Sequence, residues 1–141
     1  MPNDKYRPRV KVKRSSAGLG LFADEDIPRG QLIVEYTGER ISSDEADRRD
    51  NLYLFTVRKD VVIDGSGREN TARYINHACK PNAAAEIEDK KRIYIRASRK
   101  IKKGEEVTYN YGKDYFENIL QKKGCRCGDC LKNKKNKNRS R

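Results

Sequence analysis

The stretch Arg73-Tyr74-Ile75-Asn76-His77-Ala78-Cys79-Lys80-Pro81-Asn82 decides how the chain is read. It sets a side-chain amide, the only histidine of the protein, a cysteine and a proline-bound turn within one short span. Cys79 stands apart from the other cysteines, Cys125, Cys127 and Cys130, which cluster near the end of the sequence. Zinc favours four tetrahedral thiolate or imidazole ligands, and a closely spaced trio of cysteines needs a fourth. Cys79 is the first candidate, and a site using His77 in its place is the alternative. Ordinary thiols are the bland reading. A closed four-thiolate site would be structural, because it leaves no open position for chemistry. With Cys79 as a ligand, the quoted stretch is tied in space to a segment far along the chain.

Composition bounds the rest. In 141 residues, 35% are hydrophobic and 38% charged, which implies one domain with a modest core or loose ends. The net charge of +12 is uneven. Residues 132–141 carry Lys132, Lys134, Lys135, Lys137, Arg139 and Arg141 with no acid, and residues 1–14 carry six basic side chains against Asp4. The body between them is nearly neutral, so the basic character belongs to the ends, where weak nucleic-acid contact is the expectation. No apolar run approaches the ~20 residues that span a bilayer. The first residues lack the apolar core of a signal peptide. A soluble intracellular protein without membrane contact is expected, and in that setting Cys-x-Cys spacing favours metal over disulfides.

Residues 1–8 are polar and read as loose. Arg9 to Lys13 alternates basic residues with valine, the period of a half-buried strand. Gly18 and Gly20, two apart, suit a turn where backbone comes close to a ligand. Gln31 to Tyr36, Leu52 to Val57 and Val61 to Ile63 read as strands. Ser42-Ser43-Asp44-Glu45 has the pattern of a helix capping box, with a short helix expected through about Asp50. Ala83 to Ile87 and Arg92 to Ile95 read as a hairpin around Glu88-Asp89-Lys90-Lys91. A strand follows at Glu106 to Tyr109, then a helix bearing Tyr115, Phe116, Ile119 and Leu120 and stopped by Gly124. Many short strands with two or three small helices make the fold class mainly β. The missing strand–helix alternation, and the lack of a third glycine, exclude a dinucleotide-binding fold.

Tyr109 and Tyr111 flank Asn110 at strand spacing and should face one side. Two adjacent phenols could line a channel for a cationic side chain, although composition alone favours an aromatic core pair. His77 alone reads more naturally as a structural hydrogen-bonding group than as a catalyst. No Ser/His/Asp set or carboxylate pair can be argued from spacing.

Taken in order, the motifs resemble those of the SET-domain protein lysine methyltransferases over roughly residues 9 to 131. They are Ser16-Ala17-Gly18-Leu19-Gly20-Leu21-Phe22-Ala23, Glu35-Tyr36-Thr37-Gly38-Glu39, Val62-Ile63-Asp64-Gly65, the run from Asn70 through Asn82, and Gly104-Glu105-Glu106-Val107-Thr108-Tyr109-Asn110-Tyr111-Gly112. The cysteine cluster resembles the family's post-SET segment. Ala78 stands where the family usually has serine, and two residues rather than four separate Cys127 from Cys130. No pre-SET or reader module is recognisable, which is most similar to the small stand-alone members.

The resemblance implies a fold of small sheets in which the Asn-His stretch and the Gly112 region form a pseudoknot. It implies a loose N-terminus at 1–8, the SET domain at 9–116, a post-SET helix and zinc segment at 117–131, and a disordered basic tail at 132–141. S-adenosylmethionine would contact Gly18, Leu19, Gly20, Leu21, Tyr74, Asn76 and His77. A target lysine, in a histone or another basic protein, would enter from the opposite face past Tyr36, Tyr109 and Tyr111, with Tyr111 as the catalytic tyrosine. Structural Zn²⁺ on Cys79, Cys125, Cys127 and Cys130 would close the wall. Tyrosine rather than phenylalanine at position 109 implies mainly monomethyl product. The competing function is a zinc-stabilised basic module that binds nucleic acid or chromatin without catalysis.

Overall fold

The computed structural model describes residues 4–15, 18–49 and 51–111. Within them the chain forms β1 (Val10–Ser15), β2 (Gly18–Ala23), β3 (Leu32–Tyr36), β4 (Glu39–Ile41), α1 (Ser43–Arg49), β5 (Leu54–Arg58), β6 (Val61–Asp64), a 3-10 turn (Thr71–Tyr74), β7 (Asn76–His77), β8 (Ala83–Glu88), β9 (Arg92–Ala97) and β10 (Glu106–Tyr109). The strands make three small sheets, ordered β1-β2-β10-β7, β3-β9-β8 and β4-β6-β5. The mainly β class is as expected. One α-helix lies among the described residues, and the helix expected around Tyr115 to Leu120 lies outside them.

Strand alternation explains the shared core. In β9, Ile93, Ile95 and Ala97 point inward while Arg92, Tyr94 and Arg96 point out. In β10, Val107 and Tyr109 are buried while Glu106 and Thr108 take the other face. Leu21, Ile27, Ile33, Ile75, Ile93, Ile95, Ile101 and Val107 are essentially inaccessible. Each such side chain stabilises the fold by about 1.5–3 kcal/mol relative to exposure, and Val57 and Ile63 join the same cluster, so one core serves all three sheets. An antiparallel bridge between Ile27 and Ile101 closes it.

Local chemistry sets the connections. The β8–β9 hairpin turns through Asp89 and Lys90, both at φ +54°, the left-handed pair of a type I′ turn that matches strand twist. At the start of α1 the Ser42 hydroxyl accepts the Glu45 N–H at 3.2 Å, one half of the expected capping box. The other half is absent among the described contacts, because the Glu45 carboxylate is drawn to Arg48 and Arg49. Arg49 also bonds Glu39 and the shielded carboxylate of Asp64, which fastens the helix to β4 and β6.

One expectation needs correction, and one strand was not foreseen. Gly18 and Gly20 lie in strand β2, not in a turn. Gly18 starts the strand opposite Ser15 with φ +103°, and Gly20 leaves room for a neighbouring side chain. The Asn-His stretch itself supplies a strand. β7 pairs in parallel with β10, Asn76 opposite Thr108 and His77 opposite Tyr109.

Candidate functional site

The 3-10 turn before β7 begins at Asn70, which is fully buried. Its amide donates to Gly65 O at 3.0 Å and accepts the Thr37 N–H at 3.1 Å, so it joins the end of β3 to the loop after β6. Beyond β7 the buried Asn82 donates to Glu106 O at 2.7 Å and accepts the Thr108 N–H at 2.9 Å. One amide thus satisfies two backbone groups of β10 and fixes the far end of the stretch.

Between these anchors, His77 is buried. Its Nδ1 accepts the main-chain N–H of Tyr111 at 3.1 Å. Burial pushes its pKa down, which favours the neutral ring with the proton on Nε2. That nitrogen lies 3.6 Å from Cys79 Sγ. The His77 and Tyr111 rings meet edge-on at 5.4 Å. The Tyr111 hydroxyl donates to Ile75 O, so the residue is held by its main-chain N–H and its hydroxyl to the Ile75–His77 segment. Tyr109 and Tyr111 lie with ring centroids 5.0 Å apart, on one side as their spacing required. Tyr109 belongs to the core and Tyr111 packs at its edge.

Tyr36 is buried in the same core, tilted against Phe55 at 5.4 Å, with its hydroxyl donating to Tyr53 O at 2.7 Å. A Cβ at Gly65 would fall 2.4 Å from the Tyr36 ring, so only glycine permits this packing. Tyr74 is partly buried, and the Arg73 guanidinium lies 4.6 Å from the Tyr53 ring centre and 5.4 Å from that of Tyr74.

Asn76 occupies the junction of β7 with the glycine strand. Its Nδ2 donates to Leu19 O at 2.9 Å, Ser15 Oγ at 3.0 Å and Glu106 Oε2 at 2.8 Å. A main-chain carbonyl and a carboxylate can only accept, so the NH₂ must face them and Oδ1 must face away. Among the described residues nothing donates to that oxygen. Leu19 is half exposed, and a Cβ at Gly18 would meet no described atom within 4 Å. Leu21 is the inner member of the run, buried and flanked by Val12 and Val107. The Asn76 amide oxygen thus lies beside the exposed backbone of Gly18 and Leu19.

Cys79 is exposed at the end of the motif. Cys125, Cys127 and Cys130 lie outside the described residues, and among those described no group of three metal-ligating side chains occurs. No helix of the described residues is long and apolar enough to cross a membrane.

The family model described as "SET domain" matches residues 18–112, from the first glycine of β2 to just past Tyr111. The chain belongs to the SET-domain family. Histone-lysine N-methyltransferase 2D of Homo sapiens is 39% identical, aligned over 89% of this chain and 2% of the relative. An H3 lysine-4 specific histone-lysine N-methyltransferase of Schizosaccharomyces pombe is 41% identical, over 78% of this chain and 13% of its own. Histone-lysine N-methyltransferase ASHH3 of Arabidopsis thaliana is 36% identical, over 83% and 35%. The chain therefore spans only a small part of the length of these relatives.

Within the SET domain β2 and β7 flank β10 on opposite edges, the Asn76 side chain of β7 reaches Leu19 and Gly20 of β2, and His77, Tyr109 and Tyr111 gather around the end of β10. Sequence reading gave no role to Ser15, Tyr53, Asn70, Arg73, Asn82 or Glu106. Asn82 was the most accessible of these, since it closes the quoted stretch. Glu106 could be placed on the outward face of β10 by alternation, but its side-chain contact with Asn76 could not.

Proposed function

We propose that this SET domain is a protein lysine N-methyltransferase that uses S-adenosylmethionine and acts on a histone or another basic protein. The observation that carries this reading is the parallel β7–β10 pairing, which joins the donor-seeking Asn76 and the fixed phenol of Tyr111 to one strand pair. The names of the relatives support the substrate class.

Gly18, Leu19, Gly20, Leu21, Tyr74, Asn76 and His77 would hold the cofactor, which supplies an electrophilic methyl group on a sulfonium. Tyr36, Tyr109 and Tyr111 would border the lysine passage. Methyl transfer to an amine is an in-line displacement that needs alignment more than a strong base. The amine must lose its proton first, and an aromatic, poorly hydrated passage favours neutral lysine. The Tyr111 hydroxyl, tethered to Ile75 O, would orient the reacting groups. Tyr109 would hold a water that limits methyl addition, giving mainly monomethyl-lysine.

Structural Zn²⁺ on Cys79, Cys125, Cys127 and Cys130 would close the wall, and the exposed thiol of Cys79 is chemically suited to it. Residues 9–116 are assigned to the SET domain, 117–131 to the zinc segment and 132–141 to a basic tail able to touch nucleic acid weakly. Thermal unfolding with and without cofactor tests the reading. At ~100 Kd of S-adenosylmethionine, stability should rise by about 2.7 kcal/mol. An unchanged melting temperature at millimolar cofactor would overturn it.

A further inference from the structure

Residues 9–14 and 99–103 each hold four basic side chains and no acid, and all eight are exposed. The fold brings both runs to the same end of β2. The Asp24 N–H donates to Arg9 O at 2.8 Å on one side, and the Gly104 N–H donates to Ala23 O at 2.8 Å on the other. The carboxylates between the runs are turned to the main chain. Glu25 accepts the Arg9 N–H at 2.7 Å, Asp26 the Lys103 N–H at 2.9 Å and Glu105 the Lys102 N–H at 3.0 Å. Each fixes the backbone of a basic residue and leaves its side chain to solvent. Lys11 reaches Asp24 at 3.5 Å and Arg99 reaches Glu105 at 3.4 Å, but Lys13, Lys100, Lys102 and Lys103 form no ion pair among the described residues. Register sets Lys11 opposite Phe22 and Lys13 opposite Gly20, so both lysines stand on the face away from buried Leu21 and Ala23. Glu106, on the same face, is held by the Asn76 amide.

We propose that this surface, from the outward face of β1 to the β9–β10 connection, binds the phosphate backbone of double-stranded DNA without reading its sequence. A basic methyl acceptor, as proposed above, carries the same sign and gains nothing from it, whereas the polyanion that holds such a protein does. A lipid surface would call for an apolar face to insert. Among the described residues the outward face of β1 and β2 carries one large apolar side chain, Phe22, and Lys13 Nζ lies 5.0 Å from the centre of its ring. Unpaired lysines are point charges on flexible stems, with no fixed fork for a particular carboxylate. Spaced roughly 6.5–7 Å apart along β1, they suit a repeating line of phosphates. The surface lies in the body of the domain, separate from the basic tail at 132–141.

The test is fluorescence anisotropy of a short labelled DNA duplex of mixed sequence, titrated with the full chain over a series of salt concentrations. The wild type is compared with Lys11→Gln/Lys13→Gln, with Lys102→Gln/Lys103→Gln and with the quadruple variant. The tail is intact in every protein, so its contribution is constant. Each lysine that meets a phosphate should account for about 0.9 of the slope of log affinity against log salt. Each double variant should therefore bind with a slope shallower by about 2, and the quadruple variant by about 3–4. Its Kd at low salt should rise about tenfold or more, while melting temperature and methylation of a free peptide match the wild type. Either double variant decides the matter if the quadruple variant does not fold. An unchanged affinity and slope in both double variants would overturn the assignment and leave any DNA binding to the tail. So would lysine-dependent binding of anionic vesicles or polyglutamate by a wild type that does not bind the duplex. Duplex binding needs neither cofactor nor turnover, so failure of the methyltransferase reading would not mimic failure of this one.

Discussion

His77 Nδ1 accepts the main-chain N–H of Tyr111 at 3.1 Å, across 34 positions of sequence. This bond converts the Asn-His motif into a support for the proposed catalytic tyrosine. His77→Ala should therefore orphan the Tyr111 N–H, costing about 1–3 kcal/mol. Turnover should fall more than lysine-substrate KM rises, because positioning is lost rather than binding. His77→Asn, whose Oδ1 can replace Nδ1 as acceptor, should recover most of the stability. Denaturant unfolding and steady-state kinetics of both variants check this.

Product state turns on the phenol of Tyr109, buried at 5.0 Å from the Tyr111 ring. Its hydroxyl can anchor a water in the lysine passage, and displacing an anchored water without replacing its bonds is unfavourable. The unmutated protein should yield mainly monomethyl-lysine. Tyr109→Phe should shift the product toward di- and trimethyl-lysine without abolishing activity. Peptide mass spectrometry of both proteins is the check, and predominantly trimethylated product from the unmutated protein would refute the water-anchor account.

Zinc removal should act on the site through Cys79. We predict one Zn²⁺ per chain and a joint loss of metal and activity in Cys79→Ser, because the ligand adjoins the His77–Tyr111 pair. Metal analysis beside a methylation assay decides it. Full zinc occupancy in the serine variant would place the fourth ligand elsewhere.

Stability should depend on Asp64 and on pH in a defined direction. Burial alone would raise the Asp64 pKa, but hydrogen bonds from Ser66, Arg49 and Asn51 outweigh it and hold the carboxyl below its ordinary 3.8. The folded state thus favours the ionised form. Its contribution is present above pH ~3.8 and is lost as pH falls through the folded pKa. Asp64→Asn should cost about 1.5–3 kcal/mol at pH 7, the range for hydrogen bonds to a charged group. The gap from wild type in chemical unfolding should narrow near pH 3.

What the sequence disclosed follows from periodicity. The alternation of Arg92–Ala97 and Glu106–Tyr109 marked both strands, and Ser42 marked the start of α1. A two-residue strand such as Asn76–His77 has no period to detect, so its parallel pairing with β10 was not legible; the resemblance implied only that the Asn-His stretch and the Gly112 region form a pseudoknot. Local spacing also cannot foresee contacts such as Asn76 to Glu106, 30 positions apart, or Gly20 yielding space to that carboxylate. Resemblance supplied the proposed roles of Tyr109 and Tyr111, where residue patterns alone favoured an aromatic core pair.

The most direct test of lysine methylation is mass spectrometry of histone and other basic proteins incubated with labelled S-adenosylmethionine and either the wild type or Tyr111→Phe. The wild type should add labelled methyl to lysine side chains. Folded Tyr111→Phe should be slower by an amount equivalent to about 2–4 kcal/mol, the typical worth of one preorganised donor. Absence of labelled lysine with a cofactor-binding wild type, or equal labelling by both proteins, would contradict the account.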